Sequence, residues 1–393
     1  MRVLISGAGI AGPALAFWLH RAGADVTVVE RTTEPRPGGH AVDVRGAAKD
    51  VVAWMGLRER IREHRVDERG FALVDAKGRR VAEVPVDAFG GEGVVAEIEI
   101  ARGDLARILL EASAGAHYRF GDRITAIDGG RVTFASGATG DYDVIVGADG
   151  VHSSTRRLAF GPDERFVRYL GGYTSYFTVP DPGDLGHWLE MYAAPGGRGA
   201  YLRPENGGTA KASLSFRNPA PEFDRVPRAV AERLLTERLA GVGWRVPSLL
   251  AAMPAAPDFY FDSLNQVRVD RWWRDRVVLL GDAGYCGSPL AGKGTALSLV
   301  GAYVLAGELS TAGDPEQAFA AYQREMADFV TSAVQLPPGG MRMAAPRTRA
   351  MIAVRNLSTR MMTRWPSRRI VAKEFAKADA ITLRDYRALE RSA

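Results

Sequence analysis

The stretch Ile5–Glu30, ISGAGIAGPALAFWLHRAGADVTVVE, decides the fold. Val3, Leu4 and Ile5 form a short β-run that breaks at Gly7, and apolar residues then recur at helical spacing at Ile10, Leu15 and Leu19. The helix stops at Gly23 and a second β-run follows over 26–29. The order is strand, glycine turn, helix, strand. A secretory signal would also start with a positive charge and an apolar run, but its core lacks a change of period and ends at a small-residue cleavage site. The switch from β to helical spacing argues against one here.

In such a unit Gly7 makes the tight turn, Gly9 lets the backbone approach a pyrophosphate, and Gly12 lets the helix pack on the strand. Ile10 and Ala11 lie at the helix N-terminus, where unpaired N–H groups and the helix dipole favour phosphate. Glu30 falls 18 residues after Gly12, at the end of the second strand and beside Arg31. Its carboxylate is placed to accept hydrogen bonds from the ribose hydroxyls of an adenosine and would repel a 2′-phosphate. The stretch therefore reads as a site for FAD or NAD rather than NADP.

A chain of 393 residues, 46% hydrophobic and 25% charged, has room for two or three domains and a large core. No uninterrupted apolar run suggests a membrane span. The net charge of +5 raises the question of nucleic acid, but arginines are spread along the chain without a basic run interleaved with aromatics, so neither nucleic-acid nor membrane binding is expected. One cysteine, Cys286, rules out an intrachain disulfide framework and fits a reducing cytoplasm; it reads as a small buried hydrophobe. The six histidines show no ligand spacing, so no metal is expected.

Two further nucleotide signals lie downstream. In YDVIVGADGVHSSTRR, Tyr142–Arg157, an apolar strand ends in Gly147-Ala-Asp149-Gly150, at the carboxyl end where open α/β sheets bind ligands. RVVLLGDAGYCGSPLAGKGTALSLVGAYVLAGEL, Arg276–Leu309, repeats the logic with a strand over 277–280, Gly281-Asp282, a loop with Pro289 and Leu290, and Gly292-Lys293-Gly294-Thr295 at the start of an apolar helix. Asp282 at a strand end can bind sugar-type hydroxyls, and the first helix amides point at an electron-rich group. Lys293 reads as a solvated lysine at a helix start, with a place near a bound ring as the sharper alternative.

The succession GAGIAG, Arg102 before a leucine-rich helix, GADG, and GDAGYCGSPLAGKG resembles the single-component FAD monooxygenases, the flavoprotein aromatic hydroxylases that include para-hydroxybenzoate hydroxylase and the tetracycline-inactivating monooxygenases. The resemblance covers roughly residues 1–335 and implies non-covalent, extended FAD. It assigns Gly7, Gly9, Gly12 and Glu30 to the ADP half, Arg102 to the flavin-side phosphate or ribityl region, and Asp282 to the ribityl chain. Asp149 is associated in the family with both FAD and the pyridine nucleotide, and Pro289 to Gly294 line the isoalloxazine. Three positions depart from the family pattern: Tyr285 where histidine is usual, Ala296 where asparagine is usual, and Gly301 where aspartate is frequent.

The expected fold class is α/β: a Rossmann-like FAD-binding domain (1–70, 95–165 and 272–335), an inserted β-sheet substrate domain (71–94 and 166–271) and a C-terminal helical segment (336–393). A hairpin is expected over Arg69–Val86, β-runs over Tyr173–Val179, Trp188–Ala193 and Ala210–Phe216, and a helix near Arg228–Leu239. After the break at Leu336–Gly340 an amphipathic basic tail is expected to run as helix to about Ala393. Trp188, Met191, Tyr201, Phe216, Tyr260 and Phe261, with Pro289 and Leu290, are the candidates for a substrate pocket, although core packing competes for each.

What the resemblance implies is hydroxylation of a phenolic or polycyclic, polyketide-like aromatic through a flavin C4a-hydroperoxide, with NADPH or NADH and O2 consumed. No catalytic side chain stands out. A monomer or homodimer is expected. The alternatives are a FAD-dependent reductase of the same fold and a NAD-dependent dehydrogenase.

Overall fold

The computed structural model describes residues 1–35, 39–90, 96–336, 339–364, 369, 371 and 381–387. Five parallel strands form one sheet in the order Val277–Leu279, Val144–Gly147, Arg2–Ser6, Asp25–Glu30, His117–Phe120, with Trp273–Arg274 added antiparallel at one edge. Val3, Leu4, Ile5 and Val144–Val146 are wholly buried, as strands covered on both faces must be. Helix Ala11–Arg21 crosses between the first two strands. The three motifs read in the sequence thus meet at the carboxyl end of three neighbouring strands.

Helix Gly294–Thr311 is buried from Thr295 to Leu309. Its apolarity on every side, unusual for a surface helix, follows from its neighbours: helices Ala11–Arg21, Ala47–Trp54 and Pro315–Ala333 surround it.

A second sheet of seven strands has the order Tyr260–Val267, Val167–Pro180, Thr209–Arg217, Arg198–Pro204, Trp188–Ala194, Gly70–Val74, Arg80–Pro85. All its pairings are antiparallel except that between Trp188–Ala194 and Gly70–Val74. The fold is therefore mixed α/β. The predicted hairpin and β-runs are strands here, and helix Arg228–Arg238 lies against one face of the sheet. A small antiparallel sheet, Ile124–Asp128, Arg131–Phe134 and Thr139–Asp141, was not anticipated.

The tail differs from expectation. Helix Arg349–Met362 is present, but residues 381–386 carry no helix. The cause is local packing. A Cβ on Gly307 would stand 2.2 Å from the Tyr386 ring, whose hydroxyl donates to Glu308 (2.6 Å), while its backbone N–H donates to the Tyr303 hydroxyl (2.9 Å). The chain is pinned lengthwise on the buried helix. Most of the expected tail from residue 365 onward, the expected boundary at 94/95 and Pro337-Pro338 lie outside the described residues.

Arg156 ties the two downstream motifs together. Fully buried, it donates to the carbonyls of Ala283 (2.9 Å) and Val151 (2.7 Å) and to Asp163 (2.6 Å). Removing it leaves Asp163 to Arg157 but deprives the Ala283 and Val151 carbonyls of their donor, at about 1–3 kcal/mol for each buried group left unpaired. Arg156→Met should therefore unfold at markedly lower urea, with a midpoint close to that of the wild type being the contrary result.

Candidate functional site

The first motif is built by close backbone approach. Gly7 has φ +109°, and a Cβ there would stand 2.5 Å from the Ala148 carbonyl oxygen; a Cβ on Gly12 would stand 1.9 Å from that of Gly7. Neither position has room for a side chain. Over Gly9 the space is of another kind: the nearest atom to a Cβ there is an Arg102 Nη at 3.6 Å. A guanidinium and a bare glycine backbone at a helix N-terminus face one another, an arrangement suited to a pyrophosphate.

Ile10 and Ala11 are buried behind this turn. Glu30 sits at the strand end as expected, but its carboxylate already accepts from the Ala8 N–H (2.9 Å) and from the N–H (3.1 Å) and hydroxyl (3.2 Å) of Thr32. It braces the glycine turn while remaining partly exposed. Arg31 is exposed beside it.

Asp149 is engaged by its own chain. It accepts from Ser153, from the Ser154 hydroxyl (3.0 Å), from both the N–H and hydroxyl of Thr155 (3.0 Å each) and from Ser6 (3.4 Å). The sequence reading gave this carboxylate to FAD and pyridine nucleotide. The geometry makes it a clamp between the end of the first strand and the start of helix Ser154–Phe160.

At the third motif Gly281 packs 3.3 Å from the Ala11 side chain by its virtual Cβ, joining this loop to the first. The Asp282 carboxyl, 3.6 Å from a Cβ on Gly294, is pushed up by burial, while the Cys286 thiol and the Arg102 charge oppose the shift. Lys293 is buried, 7% exposed, and Thr295 is buried beside it, so the solvated lysine expected from the sequence is not found. Pro289 is exposed and Leu290 half-buried in the same loop. Cys286 is a buried free cysteine, its thiol pushed well above the usual range by burial, and hence a poor nucleophile.

Sequence reasoning missed Ser288. It is a non-glycine residue at φ +75°, buried, with a hydroxyl that has no hydrogen-bond partner. A strained backbone and an orphaned buried hydroxyl in one residue mark a ligand-facing position. Together with the Gly9–Arg102 gap and Asp282, it fits a dinucleotide cofactor laid along the strand ends. Nothing in the residue type signals this.

The family departures explain one another. The Tyr285 hydroxyl lies 2.5 Å from that of Tyr322, which in turn donates to the Leu279 carbonyl (3.3 Å), and a Cβ on Gly301 would stand 2.5 Å from the Tyr285 hydroxyl. Tyrosine at 285 requires the absence of a side chain at 301. Ala296 is buried nearby in the same helix.

The seven-stranded sheet has two unlike faces. Phe216 and Phe261 stack on Tyr173, with Arg238 of helix Arg228–Arg238 over the Phe216 ring, and all three rings belong to the core between sheet and helices. Trp188 shares that parity with Tyr192 and is covered by Arg80. The sequence candidates Trp188, Phe216 and Phe261 are thereby assigned to packing, because strand alternation sends them away from the nucleotide motifs. The register puts Tyr260, Tyr176, Ser213, Tyr201 and Met191 in one row across the other face. That face meets the nucleotide side, since His40 stacks on Tyr176 with centroids 4.8 Å apart.

Beside the aromatic row runs a charged one, Thr178, Lys211 and Arg203. Arg203 binds Glu68 (2.6 Å) and Glu99 (2.8 Å), and Lys211 binds Asp258 (2.7 Å) and Thr178 (2.5 Å). His40 is pushed down to about 3 by burial and by the charges of Arg102, Arg203 and Lys211, whereas burial drives the Tyr176 hydroxyl up to about 12 and that of Tyr201 well above its usual value. At neutral pH these groups are uncharged hydrogen-bond partners within a charged frame. Among the described residues no cluster able to hold a metal occurs.

The comparisons agree with this geometry. A family model described as FAD binding domain matches residues 1–336. A flavin-dependent monooxygenase from an unknown prokaryotic organism is 38% identical over 334 residues, covering 84% of this chain and 86% of that protein. The FAD-dependent monooxygenase asL6 of Sarocladium schorii is 36% identical over 373 residues, covering 87% and 88%. The crystal structure of the tetracycline destructase Tet(51) superposes with a TM-score of 0.82 at 32% identity, covering 98% of this chain and 99% of that one.

Two outcomes test the site. Asp282→Ala should weaken FAD binding about 10- to 100-fold by loss of a charge-assisted hydrogen bond, read as flavin fluorescence released on dilution; unchanged affinity in a folded variant would remove Asp282 from the cofactor. His40, neutral when folded down to about 3, takes a proton near 6.5 once unfolded, so acid favours unfolding as pH falls through that window. His40→Phe, which keeps the stack but not the proton, should lose less melting temperature than the wild type between roughly pH 6 and 4.

Proposed function

Because the chain belongs to the FAD binding domain family and is an FAD-dependent monooxygenase, we propose that it uses NADPH or NADH and O2 to hydroxylate an aromatic small molecule, phenolic or polycyclic. The observation that carries this reading is the row Tyr260–Tyr176–Ser213–Tyr201–Met191, which sets rings and hydroxyls side by side on the sheet face where His40 stacks on Tyr176. An aromatic substrate stacks on such rings, and its hydroxyls find partners in Tyr176, Tyr201 and Ser213.

Bound FAD supplies two-electron transfer from the pyridine nucleotide and activation of O2. The chain supplies the rest. Gly9 and Arg102 would hold the pyrophosphate and Asp282 would take a ribityl hydroxyl, while Glu30 braces the glycine turn through the Ala8 N–H. The N-terminal amides of helix Gly294–Thr311, with Lys293, favour negative charge on a ring seated before them. The buried, unpartnered Ser288 hydroxyl would be free to bond the same cofactor. Tyr176 and Tyr201 stay protonated and so orient substrate as donors rather than remove its proton. The buried thiol of Cys286 supports non-covalent attachment.

Isotope labelling decides between this reading and a reductase or dehydrogenase. NADPH oxidation is screened with phenolic and polycyclic compounds under 18O2. One labelled oxygen per product is expected, together with near-stoichiometric NAD(P)H use; substrate reduced without oxygen uptake, or label entering only from water, would overturn it.

A further inference from the structure

Helix Arg349–Met362 carries the densest apolar exposure among the described residues. Val354 and Leu357 are each 60% exposed and Met361 43%, three of the six large apolar side chains exposed there. Intervals of three and four residues place them on one stripe. Thr359, on the opposite side, is buried, and Met362 reaches the Phe71–Phe89 cluster, so the stripe is the outermost face.

The charges along that segment of chain are of one sign, although Glu83 lies on the neighbouring strand Arg80–Pro85. From residue 329 to 364 the sequence holds six arginines, at 342, 347, 349, 355, 360 and 364, and no Asp, Glu or Lys. Among the described residues none of the six has a carboxylate partner; Arg355, one turn before Thr359 on the inner side, donates to Asn356 (3.3 Å), while the other five are exposed. Arg217 joins them, because Arg347 is held by the turn beneath it: the Gly196 N–H donates to the Arg347 carbonyl (2.8 Å), and a Cβ on Gly197 would stand 2.6 Å from the Arg217 side chain. Elsewhere on the molecule many arginines do have such partners, as Arg203, Arg156 and Arg245 illustrate.

An exposed apolar stripe flanked by uncompensated arginines is the composition of a helix lying in the headgroup region of a negatively charged bilayer. No described helix is long and apolar enough to cross a membrane, so the contact is peripheral. A second copy of the chain is a poor occupant, since its arginines would meet their own kind. We propose that helix Arg349–Met362 docks this enzyme on the surface of a membrane containing anionic lipid, with Val354, Leu357 and Met361 entering the acyl boundary and the arginines meeting headgroups. This departs from the sequence expectation of no membrane contact and does not depend on which substrate is oxidised.

The test is co-sedimentation of the FAD-loaded protein with vesicles of phosphatidylcholine alone or with one quarter phosphatidylglycerol. Binding to the anionic vesicles is expected, and it should fade in about 0.5 M salt, where screening is short-ranged. Val354→Ser with Leu357→Ser should weaken it at least about tenfold, and Arg360→Gln about fivefold, with flavin content and melting temperature unchanged. Equal binding to neutral vesicles, or binding to neither, overturns the proposal. So does concentration-dependent dimerisation, or salt-sensitive binding of duplex DNA, that the double serine variant abolishes in the absence of vesicle binding.

Discussion

Everything at the nucleotide end of the molecule depends on one close approach, that of Gly12 to the carbonyl of Gly7, where a Cβ would stand 1.9 Å from the oxygen. It lets helix Ala11–Arg21 begin immediately at the strand end, so that its first amides lie where the sheet opens. Gly7 in turn leans on Ala148, and the Leu280 N–H donates to Gly147 (2.9 Å), so the three strand ends are locked edge to edge by backbone alone. Side chains then act from a fixed frame. Arg156 and Asp149 cross-brace its loops, and the Ser288 hydroxyl remains buried without a partner.

The second sheet solves a different problem, since one face packs on helices and the other carries polar and charged side chains. Alternation along each strand separates the two. Tyr173, Phe177, Leu214 and Phe216 supply an ordinary core against the helices, whereas Tyr176, Thr178, Lys211, Ser213, Tyr201 and Arg203 supply a face rich in hydroxyls and paired charges. The buried ions are each matched, Arg203 by two glutamates and Lys211 by Asp258 and Glu205, because an isolated charge there would be far too costly. A neutral His40 held among these charges is a consequence of the same frame.

How much of this was legible in the sequence follows from what each signal depends on. The glycine turn, Glu30 and the GADG and GDAG segments declare themselves because backbone geometry demands particular residues at fixed spacing, and the structure brings them to neighbouring strand ends. The sheet faces were read less well. Phe216 and Trp188 looked like pocket residues because they are large and aromatic, yet only register tells which face a strand residue occupies. Asp149 and Glu30 were read as cofactor carboxylates, and the contacts each makes within the chain could not be foreseen because their partners, Thr155 and Thr32 among them, are unremarkable in isolation. Lys293 was read as solvated since nothing local announces its burial, and the tail was read as helix because its contact with Gly307 joins residues far apart in sequence.

The departures at 285 and 301 carry the same lesson in the opposite direction. Singly, a tyrosine in place of histidine and a glycine in place of aspartate each look like a loss of polar contact to the flavin. In the structure they are a single exchange: the Tyr285 ring occupies the space above Gly301, bonds Tyr322 and stacks near Trp272, with centroids 4.7 Å apart. A site that elsewhere would hold a charge now holds a buried hydroxyl pair, with burial pushing Tyr285 up to about 12. With that pocket filled by a buried hydroxyl pair, the ionisable side chains at this end of the helix are Asp282 and Lys293, both beside the start of helix Gly294–Thr311 rather than along it.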